Sequence, residues 1–94
     1  MGLDEIAGLL RTGLERKPLS DSIKFDCGPD GQLVLSGDQA MLQDIPADCT
    51  ISLSLPNLEK LIKGKLNPMM AFATGKLKVA GDMTVAMKLS QLLK

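Results

Sequence analysis

Few side chains in this sequence are able to do covalent or acid–base chemistry. Cys27 and Cys49 are the two thiols, and the chain has no histidine to activate either of them as a nucleophile. Asp44 and Asp48 flank one loop, where paired carboxylates could serve as general acid and base. The simpler reading makes them solvated turn residues, with Asp48 leading into a strand. Gly75 and Gly81 bracket another strand without the spacing of a phosphate loop, so helix-end and turn duty accounts for both. Lys63, Lys65, Lys76 and Lys78 form a basic run suited to a lipid head group, to an anionic membrane surface, or simply to a solvated rim. These residues assemble into no catalytic constellation. They also offer no metal-ligand spacing, so the expectation is a protein without enzyme activity, metal or cofactor.

The bulk numbers narrow the class further. Ninety-four residues make one domain, residues 1–94, with 11 basic and 11 acidic side chains in balance. Hydrophobic residues make up 45% of the chain and aromatics only 2%, which leaves an aliphatic interior rich in its 6 methionines. Methionine moulds to irregular shapes and variable guests, although it also fills gaps in ordinary cores. A chain with no basic stripe and no Tyr or Trp for stacking is a poor nucleic-acid binder. No apolar run is long enough to span a bilayer. The start lacks the order of a secretory signal, and Ile6 breaks a myristoylation motif at Met1-Gly2. Both cysteines fall on inward positions of alternating strands and so read as buried free thiols in the cytoplasm.

Local patterning sets out the elements. Leu3 to Lys17 reads as an amphipathic helix with Leu3, Ile6, Ala7, Leu10 and Leu14 on one face, ended by Pro18. Ser22 to Cys27 alternates, Gly28-Pro-Asp-Gly31 turns, and Gln32 to Ser36 returns as the second arm of a hairpin. A weaker strand surrounds Ala40 to Gln43. Cys49 to Ser54 alternates again, and Ser54 is placed to cap a helix over Leu55 to Lys63. The order implies an α+β domain: a mixed or mainly antiparallel five-stranded sheet covered by helices.

The last thirty residues are the most informative. Asn67 caps a short helix over 68–74 that has Pro68 at its first position, Gly75 stops it, and a strand follows over 76–80. Asp82 caps a final helix over 82–94. On that helix Leu92, Val85, Leu89, Leu93, Ala86, Met83 and Met87 span roughly 220° at 100° per residue. A helix packed on one side of a core needs about half that arc. The surplus must meet something else.

Asp48-Cys-Thr-Ile-Ser-Leu-Ser54, Gly64-Lys-Leu-Asn-Pro68, Ala71-Phe72, Gly75-Lys-Leu-Lys-Val-Ala-Gly-Asp-Met83 and Ala86-Met-Lys-Leu89 together resemble the sterol carrier protein 2 family of non-specific lipid transfer domains. The likeness is specific over residues 47–93, whereas residues 1–46 fit in pattern only. It implies a five-stranded sheet and helices enclosing an apolar tunnel for a fatty acid, an acyl-CoA, a sterol or a similar lipid. The chain is short for the family, with a segment trimmed between residues 37 and 48. Leu33-Val34-Leu35 stands where an aromatic is often found, and the peroxisomal tripeptide of animal members is missing, which points to a short bacterial-type cytoplasmic member.

The expected function is therefore lipid binding and transfer by a monomer, with transient membrane contact. The alternative is a protein-interaction or dimerisation module that uses the apolar last helix. The expected guest contacts are Leu33, Leu35, Ile51, Leu53, Met70, Phe72, Ala73, Leu77, Val79, Met83, Ala86 and Met87, with the last helix as a lid.

Overall fold

The computed structural model describes residues 2–92. The expected continuation of the last helix through residues 93 and 94 lies outside them, as do the side chains of residues 89–92. Among the described residues the elements run α1 (Leu3–Arg16), β1 (Ser22–Asp26), β2 (Gln32–Ser36), β3 (Gln39–Met41), β4 (Cys49–Leu53), α2 (Leu55–Ile62), α3 (Pro68–Ala73), β5 (Leu77–Gly81) and α4 (Met83–Leu92). A 3-10 turn at Gly28–Asp30 closes the first hairpin. The expected α+β architecture is the one found.

The five strands form one sheet in the order β3-β2-β1-β4-β5. The central pair, β1 and β4, is parallel, and every other pair is antiparallel. Register aligns Leu33 with Phe25, Phe25 with Ile51, and Ile51 with Val79. Paired residues share a face, so the alternating apolar positions of four strands build one continuous apolar surface. The helices cover that face, with α1 over β2 and β3 and α4 over β4, β1 and β5. Phe25, Ile23, Leu35, Ile6 and Leu14 are fully buried between the two layers.

The connection from β3 to β4 must cross the opposite face of the sheet, because β2 and β1 lie between those strands. Residues 42–48 make that crossing without regular secondary structure. Lys24, on the outward face of β1, fastens it with an ion pair to Asp44 at 2.8 Å. Val34, whose outward neighbours are Lys24 and Met41, is only 1% exposed although it points away from the main core. Simple alternation assigns it to solvent, and the crossing segment changes that.

Asp48 has a structural task at the end of the crossing. Its Oδ2 accepts from the Ser22 amide at 2.9 Å and from the Ser22 hydroxyl at 3.1 Å, while its own amide donates to Ser22 Oγ at 2.9 Å. This reciprocal pair aligns the first residues of the parallel ladder and accounts for Asp48 without any catalytic duty.

Candidate functional site

Two short helices and the sheet edge build the site. Asn67 starts α3, its Oδ1 accepting from the Met69 and Met70 amides at 2.8 and 3.3 Å. Pro68 follows at the first helical position, where no donor is missed. Gly75, at φ +75, receives the chain in the left-handed region and turns it into β5. α4 begins at Met83, with Asp82 alone between it and Gly81. There Asp82 Oδ1 accepts from the Thr84 amide at 2.9 Å, and the Asp82 amide donates to the Asp48 carbonyl at 3.1 Å.

α4 is held on two sides. Val85 is buried in the core, and Lys88 Nζ bonds to the Asp21 carboxylate and, at 3.2 Å, to Ser20 Oγ in the segment before β1. The Lys88 bond keeps the Asp21 carboxyl below its ordinary pKa. Met83, Ala86 and Met87 sit on a third face of the helix, at the i, i+3, i+4 spacing of one stripe.

Between α3, α4 and the β4–β5 edge lies a cleft of about 130 Å³. Ile51, Leu77 and Val79 form its floor, Pro68, Met69 and Phe72 one wall, and Met83, Ala86 and Met87 the other. All nine are apolar, and none is charged. Four wall residues remain open to water: Met69 61%, Phe72 46%, Met83 47% and Met87 60% exposed. A half-open apolar groove with flexible thioethers on both rims offers dispersion contact and water exclusion, with no fixed polar anchor. Its chemistry is that of binding.

Seven of the twelve expected contact residues come together here: Ile51, Phe72, Leu77, Val79, Met83, Ala86 and Met87. Leu33 and Leu35 are fully buried on the same sheet face but on β2, which α1 covers. Leu53 is buried opposite Leu77, where the chain turns into α2. Met70 and Ala73 are exposed and lie outside the lining, on the far side of α3. Pro68 and Met69 take the places that Met70 and Ala73 were expected to hold. The signal for them was Phe72 itself, since residues four and three before it share its helical face and residues two before and one after do not.

The reactive groups lie elsewhere and are quiescent. Cys27 and Cys49 are buried free thiols. Burial, reinforced by Asp30 and Asp26, pushes the Cys27 thiol up to about 11, and burial followed by Asp82 raises that of Cys49. Neither is a candidate nucleophile, because the thiolate is the reactive form. Among the described residues no three carboxylate, thiol or imidazole side chains approach closely enough to hold a metal ion. None of the described helices is long and apolar enough to cross a membrane.

Comparison with known proteins gives this cleft its context. The profile of the SCP-2 sterol transfer family matches residues 3–94. Sterol carrier protein 2 of Rattus norvegicus is 53% identical over an alignment covering 76% of this chain and 14% of that protein. The chain thus spans only 10–14% of the length of such relatives. The sterol carrier protein domain 2 of Helicoverpa armigera superposes with a TM-score of 0.74 at 28% identity, covering 95% of this chain and 83% of that one. Sterol carrier protein-2 of Aedes aegypti in complex with palmitate superposes with a TM-score of 0.80 at 20% identity, covering 96% and 92%. With the family profile matched across nearly its whole length, the chain belongs to the SCP-2 sterol transfer family.

Proposed function

We propose that residues 1–94 form one lipid-binding domain whose cleft holds the apolar chain of a fatty acid, an acyl-CoA, a sterol or a similar lipid. The observation that carries this reading is a cleft with nine apolar lining residues, four of them left in water. Palmitate in the similar Aedes aegypti protein supports the ligand class. Floor and walls together, from Ile51 to Met87, are the proposed contacts. Leu33, Leu35 and Leu53 would join them only if the sheet face opened further.

The energetics suit a carrier. Burying about fifteen methylenes is worth roughly 12 kcal/mol gross at about 0.8 kcal/mol each. Association and ordering costs bring the net to an affinity of about micromolar. At about 130 Å³ the cleft is below the roughly 300 Å³ at which ligand pockets begin, so a whole lipid must widen it. α4, joined to β5 through Gly81, is the element that would swing out. The domain then acts by sequestering and releasing a passenger rather than by catalysis. Release requires transient contact with a membrane surface. Two buried free thiols suit a monomer working in the reducing cytoplasm.

Native mass spectrometry of protein purified from cells, paired with titration of a fluorescent fatty acid, tests the proposal. Co-purifying lipid mass and saturable binding are expected. Met87→Lys places a charge on the exposed wall and should weaken binding about tenfold or more while leaving the fold intact. A lipid-free dimer, or a fatty acid bound equally well by the variant, would overturn it.

A further inference from the structure

We infer that the cleft takes lipid hydroperoxides and that its rim methionines reduce them to the corresponding alcohols, each sulfur being consumed once as methionine sulfoxide. The inference rests on reading the cleft as a lipid site, and the thioethers around it add the chemistry. Three of the chain's six methionines, Met69, Met83 and Met87, line this one cleft, from both of its walls. All three stay open to water. The two thiols, which would compete for a peroxide, are buried and line no part of the cleft. A thioether is inert as an acid, a base or an acyl nucleophile, but it accepts an oxygen atom from a peroxide. Packing alone does not ask for sulfur here, because leucine fills such space at similar cost.

Polarity brings the two reactants together. The floor of Ile51, Leu77 and Val79 offers no hydrogen-bonding side chain, so a hydroperoxide group sunk onto it would lose its water partners at a cost of about 1–3 kcal/mol. The hydrocarbon chain therefore takes the floor, and the O–O–H group stays at the mouth among the exposed sulfurs. There the lone pair of a methionine sulfur attacks the terminal oxygen, the S–O bond forms and the O–O bond breaks. The electron pair leaves with the oxygen attached to the lipid. That oxygen takes up, through water at the mouth, the proton that the transferred hydroxyl gives up. The peroxide is reduced to a lipid alcohol by the electron pair that the sulfur loses in becoming the sulfoxide, so no metal, cofactor or second oxidant enters the balance. The sulfoxide is polar, so each transfer also weakens the wall's hold on hydrocarbon and favours release of the alcohol. Restoring the wall requires a methionine sulfoxide reductase.

Met70 supplies an internal control. It is 61% exposed, as Met69 is, and stands beside it in α3, yet it lies outside the cleft lining. The protein is incubated with linoleic acid hydroperoxide below its micelle-forming concentration. Lipid alcohol is counted by chromatography, and oxygen gain at each methionine is mapped by peptide mass spectrometry. Saturable binding of the hydroperoxide and of linoleic acid is measured in parallel, so the two readings can fail separately.

Oxygen should appear at Met69, Met83 and Met87 about tenfold or more faster than at Met70, because only the lining sulfurs meet a peroxide held in place. Hydrogen peroxide, which has no hydrocarbon chain, should oxidise Met69 and Met70 alike. An excess of saturated fatty acid should suppress the first pattern and leave the second. Combining Met69→Leu, Met83→Leu and Met87→Leu should lower the alcohol formed per hydroperoxide bound about tenfold or more, whereas Met70→Leu should match the parent. Equal oxidation of Met69 and Met70 by the lipid hydroperoxide would overturn the proposal. So would alcohol formed by the triple variant at the parent's rate per hydroperoxide bound. Saturable binding of the hydroperoxide without oxygen transfer would sink the redox step and leave the lipid cleft standing. Failure to bind either lipid would sink both.

Discussion

Gly81 has no room for a side chain beside Asp48: a Cβ built on it would lie 2.5 Å from the Asp48 carbonyl oxygen and 3.3 Å from Cys49 Cα. Its φ of +94 is also one that other residues adopt only under strain. The close approach is what lets the Asp82 amide reach that same carbonyl and set the first turn of α4.

Gly81→Ala should therefore destabilise the domain by about 2–3 kcal/mol, combining left-handed strain with a backbone clash that no flexible side chain can relieve. Urea unfolding of the two proteins checks this. A loss within a few tenths of a kcal/mol would mean that α4 tolerates a different starting angle.

Asp82 makes a gentler test of the same helix. Removing its cap through Asp82→Ala should cost about 1 kcal/mol and speed amide exchange in residues 84–88 before it affects the sheet. Added fatty acid should slow exchange across α4 more than across β1 or β2, because the guest would cover the Met83–Met87 stripe. Uniform protection over the whole domain would show that α4 is no lid.

The Lys88–Asp21 pair gives a pH dependence of definite sign. The hydrogen bond from Lys88 lowers the Asp21 pKa below its ordinary 3.8, so the unfolded chain binds the proton more readily. The contribution is complete above about pH 4 and is lost as the pH falls through the lowered folded value. Asp21→Asn should be less stable than the parent at neutral pH, with the gap closing as the pH falls through the lowered folded value. Chemical unfolding at a series of pH values measures it, and a constant gap would assign the loss to packing instead.

Cys27 should be chemically silent in the native protein. With its thiol pushed up to about 11 by burial, next by Asp30 and then Asp26, only about one molecule in a thousand carries the thiolate at about pH 8. Iodoacetamide should modify Cys27 and Cys49 only in urea. Rapid native labelling would mean that the sheet opens locally far more often than its packing suggests.

The elements were legible in the sequence because each boundary carries its own device: Ser54, Asn67 and Asp82 as caps, Pro18 and Gly75 as stops. Caps act within a few residues, so short-range reasoning finds them. The sheet order was not legible. That β1 pairs with β4, leaving β4 and β5 to floor the cleft while β2 lies under α1, depends on contacts between distant residues. Leu33 and Leu35 therefore lie on the expected face of the sheet but under α1 rather than beside the cleft. On α3 the helical phase differs from the expected one, with Pro68 and Met69 rather than Met70 and Ala73 beside the cleft. Six consecutive apolar residues have no polar stripe to mark the outward side, and only the docking of Ala71 against the core decides it.

The parallel ladder between β1 and β4 is also a seam. Residues 22–41 form a closed antiparallel meander, and 49–81 supply the other two strands with their helices, so only the crossing segment at 42–48 joins the two by covalent bonds. Residues 1–44 carry four basic and eight acidic side chains, and residues 45–94 carry seven basic and three acidic. A chain severed in that segment would thus yield two oppositely charged pieces, each presenting half of one apolar surface to the other. Such pieces have the makings of a split reporter, one that reassembles by fragment complementation and restores the cleft only when both are present.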